Sequence, residues 1–170
     1  MGDGIKSIKA AVVQAAPVLF DKALSVEKAC HLIREAGSKG SRVVLLPEAF
    51  IPAYPRGLSF GMVVGSRSEA GRSLWKRYWE NAVEIPGPEV ETLGEAAKEA
   101  GVYLAIGVIE RDGEYSRGTL YCSLLYFDLE GRLMGKHRKL KPTGAERLIW
   151  GEGDGSTMPV FSTDVGKIGG

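Results

Sequence analysis

The apolar positions of this chain fall into two periods, and the switch between them outlines the elements. Val43–Leu46, inside Ser41-Arg-Val-Val-Leu-Leu-Pro-Glu48, is an apolar run without alternation. Both of its faces read as buried, as in a central parallel strand. Ahead of it, Ile8–Val13 reads as a first strand. Ala29, Cys30, Ile33 and Ala36 share one face of a helix that Asp21 or Ser25 would cap and Gly37 and Gly40 would end. Strand, helix, strand with short joins predicts a parallel pair with a right-handed crossover.

Residues 49–72 break both periods. They carry Pro52, Pro55, Gly57, Gly61, Gly65 and Gly71. They also hold Phe50, Tyr54, Leu58, Phe60 and Met62, too apolar for a disordered linker. An ordered loop over the carboxyl end of the sheet is expected. Helical spacing returns in Ser73–Val83, with the stripe Leu74, Tyr78, Ala82 flanked by Trp75 and Trp79. After Pro86-Gly87-Pro88, Glu89–Ala100 reads as a second helix with Val90, Leu93, Ala96, Ala97 and Ala100 inward and Gly101 as its stop. Val102–Ile109 is another mostly apolar strand and ends, like the run at 43–46, at an acid, Glu110. Thr119–Asp128 and Gly131–Leu140 are strands joined tightly enough to pair antiparallel, so the sheet is mixed. From Lys141 the pattern is irregular, with a short strand expected at Val160-Phe161 and another beginning at Val165.

At 170 residues the chain suits one domain, spanning 1–170, with a real core. Its 44% apolar and 25% charged residues are those of an ordinary globular protein. The net charge of +1, from 22 basic and 21 acidic residues, gives no reason to expect nucleic acid or an anionic membrane as partner. No apolar run approaches the roughly 18 residues of a membrane span. Met-Gly-Asp-Gly-Ile-Lys at the start has no signal-peptide core, so a cytoplasmic location is expected. Cys30 and Cys122 form no disulfide framework, and with His31 and His137 they show no zinc spacing. No metal and no cofactor is expected.

Candidate chemistry starts with Glu48. Ligands of open α/β sheets bind beyond the carboxyl ends of strands, where a carboxylate is costly to bury and useful as a base. The densest charge cluster is Lys136-His-Arg-Lys-Leu-Lys141. Lysines guard sheet edges, so a solvated edge strand is one reading. Strand parity gives another: Leu133, Gly135, His137 and Lys139 share a face, and Lys136 and Arg138 point the other way. Lys139 would then face a site, with Glu146 returning to it across a Pro-Thr-Gly turn. Gly151-Glu-Gly-Asp-Gly-Ser156 lacks the Gly-Lys-Ser/Thr ending of a phosphate loop and the ligand spacing of an EF-hand, and reads as a plain loop. There is no Gly-x-Ser-x-Gly elbow.

Together, Val-Val-Leu-Leu-Pro-Glu48-Ala-Phe, Tyr54-Pro-Arg-Gly57, Lys-His-Arg-Lys139-Leu-Lys-Pro-Thr143-Gly-Ala-Glu146-Arg and Ile149-Trp-Gly-Glu-Gly-Asp-Gly-Ser156 resemble the nitrilase branch of the carbon–nitrogen hydrolase superfamily. The resemblance covers essentially the whole chain. It implies a mixed-sheet α-β-β-α sandwich, of which roughly the N-terminal half is present here. It implies a Glu–Lys–Cys triad with a second glutamate, carried by Glu48 as base, Lys139, and Glu146. Tyr54 and Phe50 are expected to line the substrate pocket. The nucleophilic cysteine is expected at the end of the strand that begins at Lys167-Ile-Gly-Gly170, and neither Cys30 nor Cys122 matches its motif. The chain alone is therefore expected not to turn over substrate. The implied reaction takes a small nitrile to an acid and ammonia through a thioimidate, in a homodimer or spiral homo-oligomer. Two other readings stand beside it. One is an amidase of the same superfamily. The other is a non-catalytic assembly fragment with Trp75, Tyr78 and Trp79 as its contact face. The enzymatic reading requires the Glu48 and Lys139 charges within about 4–6 Å of each other.

Overall fold

A computed structural model describes residues 7–66 and 68–170. The first six residues, read above as lacking a leader, lie outside the described part. The sheet begins with β1 (Ala10–Val12) and β2 (Val43–Leu45), joined by helix α1 (Lys22–Ser38). Asp21 caps α1, its side chain accepting from the Leu24 amide. Ser25, the other cap candidate, is buried and exchanges hydrogen bonds with the backbone of Val18 instead. Helix α2 spans Glu69–Glu80, β3 Val83–Glu84, and helix α3 Pro88–Ala100, which Gly101 ends in the left-handed conformation at φ 63°. Strands β4 (Tyr103–Arg111), β5 (Leu120–Phe127) and β6 (Leu133–Arg138) follow, then a hairpin of β7 (Val160–Thr163) and β8 (Gly166–Gly169).

Six strands form one mixed sheet in the order β1-β2-β4-β5-β6, with β3 against the far end of β4. β1, β2, β3 and β4 run parallel; β4, β5 and β6 alternate. The expected parallel pair and antiparallel hairpin are both present. Most boundaries shift by one or two residues from the sequence reading, and the larger differences lie around α2. Ser68 accepts from the Gly71 amide and starts α2 four residues before Ser73. The chain past Glu80 leaves the helix and pairs Val83 with Glu110 as a short strand. Ala82 stays fully buried although it lies beyond the helix.

Helices α1 and α3 cover one face of the sheet. Ile33, Leu93, Val44, Ile106, Val108 and Phe127 pack there as the main core. Burial of each such side chain contributes about 1.5–3 kcal/mol. The second face is covered in two places. The β7–β8 hairpin lies at one end, with Phe161 against the Tyr126 ring at 5.3 Å and Asp164 accepting from Arg42 and Tyr103. A second cluster under α2 lies at the other, built from Phe20, Ala49, Phe60, Tyr78, Ile109, Leu120, Cys122 and Trp150. Between them the face is open. Val12 is 78% exposed and Leu45 39%, so the run at 43–46 is buried on one side only, contrary to expectation. The reason is the layering: no element among the described residues crosses that stretch. No helix among them is long and apolar enough to cross a membrane.

Candidate active site

The site forms where the open face meets the cluster under α2. After β2 the backbone rises over β4, and the amides of Leu46 and Phe50 bond to the carbonyls of Ala105 and Gly107. The crossing is possible because residue 107 is glycine. A Cβ there would stand 2.4 Å from the Pro47 carbonyl oxygen and 2.6 Å from Glu48 Cα. Ala49, next to Glu48, is fully buried at φ 50°, a left-handed conformation that costs a non-glycine residue about 1 kcal/mol or more. These two features hold the Glu48 backbone above the sheet.

Lys139 follows β6. Its amide bonds to the Cys122 carbonyl, and its carbonyl accepts from Gly153. Its ammonium meets Glu48 Oε1 at 2.8 Å and Glu146 Oε2 at 2.9 Å. Trp150 lies beside it, the ring centre 5.8 Å from Nζ. Burial works against the charged ammonium, but the hydrogen bonds to Glu48 and Glu146 outweigh it and hold the Lys139 pKa above the ordinary lysine value. Lys139 is thus a fixed cation at every physiological pH.

Glu146 sits in the single-turn helix Gly144–Leu148, which Thr143 opens as a capping box. The Thr143 amide and Lys139 share Oε2, and the Tyr54 hydroxyl donates to Oε1 at 2.6 Å. Burial pushes the Glu146 carboxyl upward, yet the donors from Tyr54, Lys139 and Thr143 win and keep its pKa below the ordinary value. Both of its oxygens are engaged by donors, which favours the anion. Glu48 differs. Lys139 and the Cys122 thiol, 3.6 Å away, both approach Oε1, and Oε2 has no hydrogen-bond partner among the described residues. The Glu48 side chain is 48% exposed, not buried as its strand-end position suggested, because the face above it is open.

Three of the sequence candidates, Glu48, Lys139 and Glu146, therefore converge. Tyr54 also belongs, as a hydrogen-bond donor as well as a wall of the cleft, and its ring meets Trp150 edge-on at 5.6 Å. Phe50 borders the cleft but is 1% exposed and packs with the main core, which limits it to backing the wall. Of Trp75, Tyr78 and Trp79, the expected contact face, Tyr78 cannot contribute, while both tryptophans stay partly exposed. Tyr78 is fully buried between the rings of Phe20 and Phe60, and Trp79 donates to the Arg117 carbonyl. Sequence reasoning missed the Cys122 thiol beside Glu48 and the Tyr54–Glu146 bond. The Thr143-x-x-Glu146 spacing, a capping-box signature, was the available signal for how Glu146 is held.

Two cavities meet at Glu48. One of about 1040 Å³ runs under the 53–62 loop, past Tyr54, Phe60 and Glu146. The other, about 730 Å³, follows the open sheet face past Leu45, Cys122, His137 and Lys139. The glycine-rich 151–156 segment packs against the sheet. A Cβ on Gly153 would lie 2.3 Å from the Arg138 carbonyl oxygen, so it is a closely fitted loop and not an open phosphate cradle.

A mixed α/β sheet here carries a lysine held between two carboxylates at a cleft. The sequence matches the carbon-nitrogen hydrolase family over residues 9–170, and the chain belongs to that family. It is 54% identical over 161 residues to an aliphatic nitrilase of Sinorhizobium fredii, covering 95% of this chain and 51% of that protein. It is 51% identical over 162 residues to nitrilase 2 of Arabidopsis thaliana, covering 95% and 47%. The chain spans about half the length of the curated relatives it matches. Among solved structures, an amidase from Nesterenkonia superposes with a TM-score of 0.69 at 16% identity, over 96% of this chain and 56% of that one. A Saccharomyces cerevisiae member of the nitrilase superfamily gives 0.68 at 24% identity, over 95% and 54%. These two establish the fold.

Proposed function

We propose that the protein of which this chain forms one incomplete domain, residues 1–170, is a nitrilase. In this reading it hydrolyses a small nitrile to a carboxylic acid and ammonia. The observation that carries it is the Lys139 ammonium held between Glu48 and Glu146, with one Glu48 oxygen unpaired among the described residues. The names of the relatives at about half identity support the choice of nitriles.

In this reading a cysteine beyond Gly170 supplies the nucleophile. Glu48 Oε2 takes the thiol proton, and the thiolate adds to the nitrile carbon to give a thioimidate. Lys139 faces the negative charge that builds on nitrogen, and later on oxygen in the tetrahedral species. The proton from Glu48 passes to the nitrogen, one water adds and expels ammonia to leave a thioester, and a second water hydrolyses that to the acid and restores the thiol. Glu146, saturated by three donors, keeps Lys139 charged and aimed. Tyr54 positions Glu146 and walls the cleft; Phe50 backs it. Cys122 is not the nucleophile in this scheme: burial, with Glu48 beside it, pushes its thiol up to about 12, far from a thiolate at neutral pH. The working form is taken to be a cytoplasmic homodimer or spiral homo-oligomer, in keeping with the resemblance, which chromatography with light scattering reads directly.

The full-length protein, assayed for ammonia on an aliphatic nitrile and on the matching amide, tests the reading. Turnover of the nitrile to acid is expected. Turnover of the amide alone makes it an amidase, and turnover of neither leaves the assembly reading.

A further inference from the structure

Glu110 is the second strand-end acid, and the chemistry above does not use it. It is 1% exposed and lies on the face opposite Glu48. Burying a carboxylate is costly unless it is fully paired. Glu110 is: Lys136 Nζ reaches Oε1 at 2.5 Å, Arg138 Nε lies 3.2 and 3.1 Å from its two oxygens, and Ser123 donates to Oε2 at 2.7 Å. The Arg138 guanidinium stacks on the Tyr121 ring at 3.8 Å and also approaches Asp112 at 3.5 Å. Lys136 and Arg138 thus balance Glu110 and Asp112 in charge.

The clamp joins strands that are not neighbours. Glu110 sits on β4 and its cations on β6, so the side chains span β5, where Ser123 and Tyr121 lie between them. β6 is an edge strand with β5 as its one partner in the sheet, and its pairing is irregular near Tyr126 and Phe127. Side chains alternate along it. Arg138 drawn down to Glu110 therefore obliges Lys139, the next residue, to face up toward Glu48 and Glu146. For stability alone, packed apolar residues often do as well as a buried ion cluster, so the cluster's geometry is where a further role is to be sought.

We propose that Glu110 is a positioning residue for Lys139, acting through Arg138 from the opposite face of the sheet. The inference deepens the function proposed above and rests on it for its kinetic consequence. Three variants of the full-length protein test it: Glu110→Gln, Arg138→Met and, as a control on the same face, Lys136→Met. Crystal structures and nitrile-hydrolysis kinetics are the readouts. In Glu110→Gln and Arg138→Met, Lys139 Nζ is expected beyond hydrogen-bond reach, more than about 3.5 Å, of Glu48 or Glu146. kcat is expected to fall about 10- to 100-fold with KM nearly unchanged. Lys136→Met, which keeps the Arg138–Glu110 contact, should leave both in place. Where Glu110→Gln does not fold, Arg138→Met carries the test, because Glu110 then still has Lys136 and Ser123. A folded variant that melts earlier yet keeps both Lys139 bonds and its kcat overturns the proposal. A displaced Lys139 in a protein whose wild type hydrolyses no nitrile upholds it while removing the nitrilase reading.

Discussion

Lys139 and Glu48 are 91 positions apart in the chain, and their side chains meet at 2.8 Å. Lys139→Met should remove the cation and leave Glu48 and Glu146 facing each other. Glu146 would lose one of the donors that hold its pKa down, so its pKa should rise. Turnover of the full-length protein should fall at least about 100-fold, the scale of losing one preorganised electrostatic donor. Steady-state kinetics and a carboxyl titration by carbon NMR read the two effects.

Gly107→Ala should destabilise the protein by about 1–3 kcal/mol, because the added methyl runs into Pro47 and Glu48 backbone atoms that have nowhere to go. Activity should drop more than stability does, since the atoms displaced carry Glu48, the proposed base. Denaturant unfolding and kinetics on the same preparation separate the two.

Both thiols should resist alkylation while the chain is folded. Burial raises the pKa of Cys30, and burial with Glu48 beside it takes Cys122 to about 12. Cys122→Ser should leave turnover within about threefold, since the hydroxyl still donates to Glu48 and no thiolate chemistry is lost. Complete loss of turnover in that variant, with a normal melting curve, would make Cys122 a participant.

Acid should unfold the protein through its ion-paired carboxylates. Glu110 and Glu146 have folded pKa values below the ordinary 4.5. Their stabilisation is complete above that value and is lost as pH falls through the lower, folded values. Melting temperature should therefore be flat above about pH 5 and decline below it. Tyr54→Phe removes one donor from Glu146 and brings its folded pKa back toward the ordinary value, so its decline should start at the same pH but be smaller and level off sooner. A series of melting curves between pH 3 and 7 checks both.

The sequence made the order of elements legible because strand and helix periods are sharply separated here, as in Val43–Leu46 and the α3 stripe. It made Glu48, Lys139 and Glu146 legible through motif spacing and strand parity. It did not reveal that Leu45 stays open, since an apolar run says how a strand is able to be buried and not whether a second layer is present. The resemblance named Glu48 the base and Glu146 a second glutamate, but nothing in the sequence distinguished how the two carboxylates are held. That distinction lies in which carboxylate oxygens are already engaged, and no pattern along one chain records it. Tyr78 shows the same limit: its spacing marked an apolar face, but only packing between Phe20 and Phe60 made that face internal.

The outer wall of the larger cavity, from Tyr54 through Leu58 to Met62, hangs above the carboxylates without holding them, Tyr54 excepted. Glu48 is gripped from below at Gly107 and Glu146 by its own turn. Exchanging Leu58 or Met62 for larger or smaller side chains should therefore retune which molecules are admitted while the reacting groups keep their places. In the proposed reading, selectivity and chemistry are thereby carried by separate stretches of the chain, and one is open to change without the other.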